Sequence, residues 1–119
     1  MEVPEFLEAS HEEHFYDLLI EDGSHPGDVE RMALFYLIAG NRDLYQKRTS
    51  IYDFKEHSIR KCLEKEEVDF SSGMKSLIRL GFNLYNGYMD KQTSPVSLFY
   101  NLDEDNKELA MNAIKIRFL

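Results

Sequence analysis

Met32-Ala33-Leu34-Phe35-Tyr36-Leu37-Ile38-Ala39 is an unbroken apolar run that stops at Gly40-Asn41. A helix with no polar face is one surrounded by protein on every side. The run therefore predicts a central buried helix over residues 28–39, with the rest of the chain wrapped around it. Gly40 is expected just past its end, at the C′ position where a left-handed backbone favours glycine.

The flanking segments repeat apolar residues at helical spacing. Upstream, Ser10-His11-Glu12-Glu13 has the form of a capping box, in which the serine hydroxyl and the glutamate three residues on satisfy free amides at a helix start. The predicted helix runs from His11 to Glu21 and buries Phe15, Leu18 and Leu19. Asp22-Gly23-Ser24-His25-Pro26-Gly27 then breaks the chain. Downstream, Asn41 is suited to cap a helix over 42–50. Ile51-Tyr52-Asp53-Phe54 leads into a fourth helix ending near Leu63. Residues 64–71 read as an acidic loop.

Ser72 is then expected to cap a helix reaching Asn86, closed by Gly87. Its Met74, Leu77, Ile78, Gly81, Leu84 and Tyr85 fall on one face, and Gly81 allows another helix to come close. Ser94-Pro95 marks an N-cap followed by proline at the first helical position. Residues 103–106 cap a last helix with Leu109, Ala113 and Ile116 inward. The expected fold is an all-α, compact single domain of five to seven helices. Residues 1–10 are read as an acidic, flexible N-terminal arm.

Composition bounds the function. With 119 residues, 43% apolar and 30% charged, the chain suits one folded domain. No apolar stretch is long enough to span a membrane. The opening residues lack the basic and apolar regions of a secretory signal. The single cysteine, Cys62, has no internal disulfide partner. Together these fit a reducing cytoplasm.

Charge is unevenly placed. The first thirty residues carry ten carboxylates and no Lys or Arg, whereas the remainder is close to neutral, for a net charge of -8. An acidic total suits neither nucleic acid nor an anionic lipid surface. A one-signed face suits a protein partner of opposite sign. The expected partner-binding residues are Glu8, Glu12, Glu13, Asp17, Glu21, Asp22, Asp28 and Glu30. Glu21 and Asp22 stand out, because a carboxylate at a helix C-terminus opposes the macrodipole by about 0.3–1 kcal/mol. The bases between Arg31 and Lys65 are read as partial neutralisation of those acids within the fold.

Catalytic chemistry is not legible, and no enzymatic activity is expected. His11 and His14, three apart, form at most half of a zinc site. They give zinc as a weak cofactor candidate and do not match the four-residue spacing of zinc proteases. His57 and Cys62 are placed on different faces of the expected fourth helix. Gly73-Met74-Lys75 lacks the rest of a phosphate loop.

A set of local matches adds context. His14-Phe15-Tyr16, Ala33-Leu34-Phe35-Tyr36 with Gly40-Asn41, and Ile51-Tyr52-Asp53-Phe54 are followed in order by Phe82-Asn83-Leu84-Tyr85-Asn86-Gly87, Ser94-Pro95 with Leu98-Phe99, and the segment 113–118. In these the chain resembles a small family of unknown function met in Firmicutes, their phages and mobile elements. The resemblance implies a helical protein of bacterial or phage context and transfers no activity. By analogy with small acidic phage proteins it implies an inhibitor of a host defence nuclease, of the anti-CRISPR kind, seated on a basic groove such as that of a Cas nuclease. The alternatives are a small regulatory or accessory protein of a mobile element, as a monomer or as a homodimer through exposed Tyr and Phe, and a metal-binding protein using His11 and His14.

Overall fold

The computed structural model describes residues 5–65 and 68–119. Residues 1–4 of the acidic opening and Glu66-Glu67 of the predicted loop lie outside the described residues. The fold is helical around the apolar run, as the sequence predicts. Helix α2 (Val29–Gly40) buries every residue from Met32 to Ala39. It packs against α1 (Ala9–Asp22), α6 (Ser72–Asn86) and α8 (Glu104–Phe118). Burying such side chains contributes about 1.5–3 kcal/mol each, so this one helix supplies a large share of the core.

Most helix ends follow their local chemistry. Asp28 caps α2 by accepting from the Arg31 amide at 3.0 Å. Asn41 and Asp103 cap α3 (Arg42–Gln46) and α8 in the same manner. Ser94 caps α7 (Pro95–Tyr100), with Pro95 in its first turn. Gly87 ends α6 with φ 83°, a left-handed conformation that glycine adopts without strain.

Four expectations are corrected. First, the capping box is not made. Helix α1 begins at Ala9, so Ser10 is already inside it and donates to the Glu8 carboxylate at 2.9 Å. Second, Gly40 is the last residue of α2 and is not left-handed. It is needed for space, since a Cβ there would lie 2.1 Å from Leu109 Cδ1. Third, Ser71 and not Ser72 caps α6, accepting from the Met74 amide at 3.2 Å.

Fourth, the helices expected over 42–50 and from Ile51 to Leu63 do not form as such. The first divides into α3 and α4 (Arg48–Ile51) at Lys47. The second is replaced by an antiparallel hairpin, β1 (Tyr52–Asp53) with β2 (Ser58–Ile59), and a single turn, α5 (Cys62–Lys65). Tyr52 and Phe54, two residues apart, both turn inward and pack their rings on Phe35. Asp53 Oδ1 accepts from the amides of Lys55 and Glu56, both at 3.0 Å, which gives the backbone a turn in place of helix. Among the described residues the chain thus has eight helices, of which α3, α4 and α5 are one-turn pieces.

The acidic opening is packed where it is described. Phe6 lies against the rings of His11, Phe15 and Tyr36, and the Tyr36 hydroxyl donates to the Glu5 carbonyl.

Candidate interaction surface

Helix α1 divides by side. Phe15 and Leu18 are fully buried against α2, as is His11. Glu12, Glu13, Asp17 and Glu21 face out, with Glu8 at the N-cap beside them. Glu13, Asp17 and Glu21 form one row at four-residue spacing, where like charges repel by a few tenths of a kcal/mol per pair. No described Lys, Arg or His lies within ion-pair distance of these five carboxylates. Tyr16 and Ile20 share the outer side of α1 and are 41% and 77% exposed. An isoleucine left this open, one turn from a tyrosine and surrounded by acids, gives the surface apolar anchors as well as a field.

The other three predicted face residues have partners within the fold. Asp22 is buried. Its Oδ1 accepts from the Tyr52 hydroxyl and from His57 Nδ1, both at 2.8 Å, and its Oδ2 accepts from Ser24 at 2.6 Å. Arg31 Nε stands 3.5 Å from Oδ2. Burial pushes the Asp22 carboxyl upward, but the bonds from Ser24, His57 and Tyr52, with the Arg31 charge, outweigh it and hold it below the ordinary range. Its position against the helix dipole is therefore compensated inside the fold. Asp28 caps α2 with one oxygen and binds Arg31 Nη1 at 2.8 Å with the other. Glu30 faces Arg117 of α8 at 3.8 Å.

Arg31 is the centre of this second cluster. Beyond Asp22 and Asp28 it donates to the Tyr52 hydroxyl at 3.0 Å and to the His57 carbonyl at 2.9 Å. The Tyr52 and Asp28 bonds raise its already high pKa. Tyr52, buried between Arg31 and Asp22, is raised by desolvation. His57 has φ 56°, an uncommon conformation for a residue with a Cβ, and it is held there by Asp22 on its ring and Arg31 on its carbonyl. Sequence reading missed the cluster because its members lie on α1, α2 and the hairpin, and a helix was expected where the hairpin brings the His57 ring to Asp22 and its carbonyl to Arg31.

Among the described residues the bases of the 31–65 segment pair with the N-terminal acids only through Arg31. Arg60 pairs instead with Asp53 at 3.3 Å. Arg48 lies over the Tyr45 ring, and Lys47 over Phe70.

His11 and His14 do not act together. His11 Nδ1 accepts from the Leu7 amide at 3.1 Å, so the ring proton is on Nε2, which donates to the Tyr36 carbonyl at 3.0 Å. Both nitrogens are committed, and burial lowers the ring's pKa and favours the neutral form. His14 stacks on Tyr45 at 3.8 Å. Among the described residues no three His, Cys, Asp or Glu side chains converge as metal ligands. Burial pushes the Cys62 thiol up to about 11, which keeps it protonated and a poor nucleophile at neutral pH. No described helix is long and apolar enough to cross a membrane.

Comparison with known proteins gives one match. No curated protein and no solved structure matches the chain. A family of unknown function, DUF6075, matches it over residues 1–119, and the chain belongs to that family.

Proposed function

We propose that this is a non-catalytic interaction protein whose α1 surface docks on a basic groove of another protein and competes there with nucleic acid. The observation that supports it is the unpaired state, among the described residues, of Glu8, Glu12, Glu13, Asp17 and Glu21, on a helix that also exposes Tyr16 and Ile20. Where this fold needs a carboxylate, it supplies a cation or several donors, as at Asp22, Asp28 and Glu30. The outer row of α1 receives neither. A row of carboxylates resembles a row of phosphates to a cationic groove. It speeds encounter and fixes register, while apolar anchors slow dissociation.

The concrete setting is a phage or mobile element of a Firmicute, and the concrete partner is a Cas nuclease of the host, which makes the protein a defence inhibitor of the anti-CRISPR type. The test is DNA cleavage by such a nuclease with increasing amounts of the protein, beside a Glu13→Gln, Asp17→Gln, Glu21→Gln variant. The parent should inhibit, less at physiological salt than at low salt, where screening lengthens from about 8 Å. The variant should keep its fold and lose inhibition. A variant that inhibits as well as the parent would return the row to a solvated surface. Absence of inhibition by the parent would remove this nuclease as the partner.

A second reading, an accessory protein acting as a homodimer, is favoured by the outer side of α7, where Val96 and Tyr100 are 81% and 85% exposed one turn apart. Light scattering with and without Tyr100→Ser separates the two.

A further inference from the structure

We propose that the hollow between α4, β2 and α5 binds a small phosphate-bearing anion, a site independent of the acidic α1 surface. The hollow measures about 420 Å³, within the range of small-ligand sites, roughly 300–1,000 Å³.

Local structure brings its cations together. The Arg60 amide donates to the Ile51 carbonyl at 2.8 Å, which ties the end of β2 to the end of α4. Lys61 follows directly, and its carbonyl accepts from the amides of Glu64 and Lys65 at 3.1 and 3.2 Å to form the α5 turn. Arg60, Lys61 and Lys65 thereby border one concavity. Thr49, Ser50 and Ser58 line the same space.

Among the described lining residues the one carboxylate, Asp53, is paired with Arg60, which leaves Lys61 and Lys65 as the cations without a described partner. Asp53 gives Oδ1 to two backbone amides and faces Arg60 with Oδ2. The Cys62 thiol in the wall stays neutral, since burial raises its pKa to about 11, so it adds no opposing charge. In a chain of net charge -8 this concentration of positive charge is local. Guanidinium and ammonium groups with hydroxyl donors are the groups that recognise phosphate.

The shape favours a compact ligand over a nucleic acid strand. The acidic total of the chain would repel a longer polyanion. Among the described residues no aromatic ring lines the hollow, so a stacked base is not provided for.

The test is calorimetric titration of the full chain with pyrophosphate and with ribose 5-phosphate. Free ribose and a single-stranded DNA oligonucleotide serve as comparisons. A Lys61→Ala, Lys65→Ala variant is measured beside a Lys91→Ala, Lys107→Ala control, each checked for an unchanged melting curve. Saturable binding of the phosphorylated ligands, none of ribose, and a loss of about tenfold or more only in the Lys61, Lys65 variant are expected, as each charge-assisted contact carries a large share of such affinity. No saturable binding by the parent would overturn the proposal. Equal binding by the two double variants, or tighter binding of the oligonucleotide than of either small ligand, would do so too. The α1 row is untouched in every variant, so failure here leaves the proposed docking surface standing, and the reverse holds.

Discussion

Gly40→Ala isolates the tightest approach in the fold. A Cβ at this position would lie 2.1 Å from Leu109 Cδ1 and 2.9 Å from both Cε1 and Nε2 of His11, against an ordinary carbon contact of about 3.5–4.0 Å. Neither neighbour yields cheaply. Leu109 is fully buried. The His11 ring is tied at both nitrogens, at 3.1 and 3.0 Å, and shifting it weakens bonds of about 1 kcal/mol each. Overpacking of this kind costs about 1–3 kcal/mol, while alanine regains up to about 1 kcal/mol of helix propensity. The net loss is about 1–3 kcal/mol once the His11 bonds are included, or a fall in Tm of roughly 5–15 °C for a chain of this length. Thermal unfolding followed by circular dichroism measures it. Leu109→Ala alone should cost about 2–5 kcal/mol. In that background the added methyl enters the space left by the leucine, so Gly40→Ala should become neutral or stabilising, a coupling that a double-mutant cycle reads directly. A Gly40→Ala protein more stable than the parent would refute the reasoning, because glycine would then be only a weak helix residue near a helix end.

Leu37→Asp should abolish folding, since Leu37 is 1% exposed and an unpaired buried charge costs several kcal/mol; a cooperative melt from this variant would place the core elsewhere. Asp22→Asn should cost about 1.5–3 kcal/mol at neutral pH, the scale of hydrogen bonds to a charged group, as read by urea unfolding. Because the folded Asp22 carboxyl titrates below its ordinary value, its contribution is present above about pH 4 and is lost as pH falls through the lower, folded value. The parent should therefore lose more stability than Asp22→Asn between pH 6 and pH 3, and equal losses would contradict the linkage. Cys62 should react with a disulfide reagent far more slowly at pH 8 than free cysteine does, its thiol being pushed up to about 11; rapid labelling of the folded protein would show the thiol to be open and ionised.

The parts of the fold legible in the sequence are those where one segment determines its own state. The run from Met32 to Ala39 has no polar side, so only a central position is available to it. The 74–85 series has a single apolar face, and α6 buries it. Gly81 allows close approach, with Leu34 Cδ1 2.8 Å from where its Cβ would stand. The illegible parts are those where a side chain competes with the helical backbone or answers to a distant partner. Asp53 offers two amides a turn, and Tyr52 and Phe54 find Phe35 from an extended backbone, so helical spacing around Ile59 and Leu63 misleads. Gly40 was legible as special, but its reason lies at Leu109, far along the chain.

The acidic end shows the same division at the level of function. Counting carboxylates treats Glu21 and Asp22 alike, since both oppose the dipole of α1. The structure separates them, because the backbone turns between adjacent residues and points one side chain outward and the other inward. Asp22 meets Tyr52, His57, Ser24 and Arg31, and its cost is answered within the fold. Glu21 meets no described cation and joins Asp17 and Glu13 in a row flanked by Tyr16 and Ile20. Sequence charge therefore counts three carboxylates that have partners within the fold and leaves out the two apolar side chains of the proposed docking surface. What distinguishes a docking face from a solvated one is that remainder: carboxylates the fold leaves uncompensated, set beside apolar side chains it leaves uncovered.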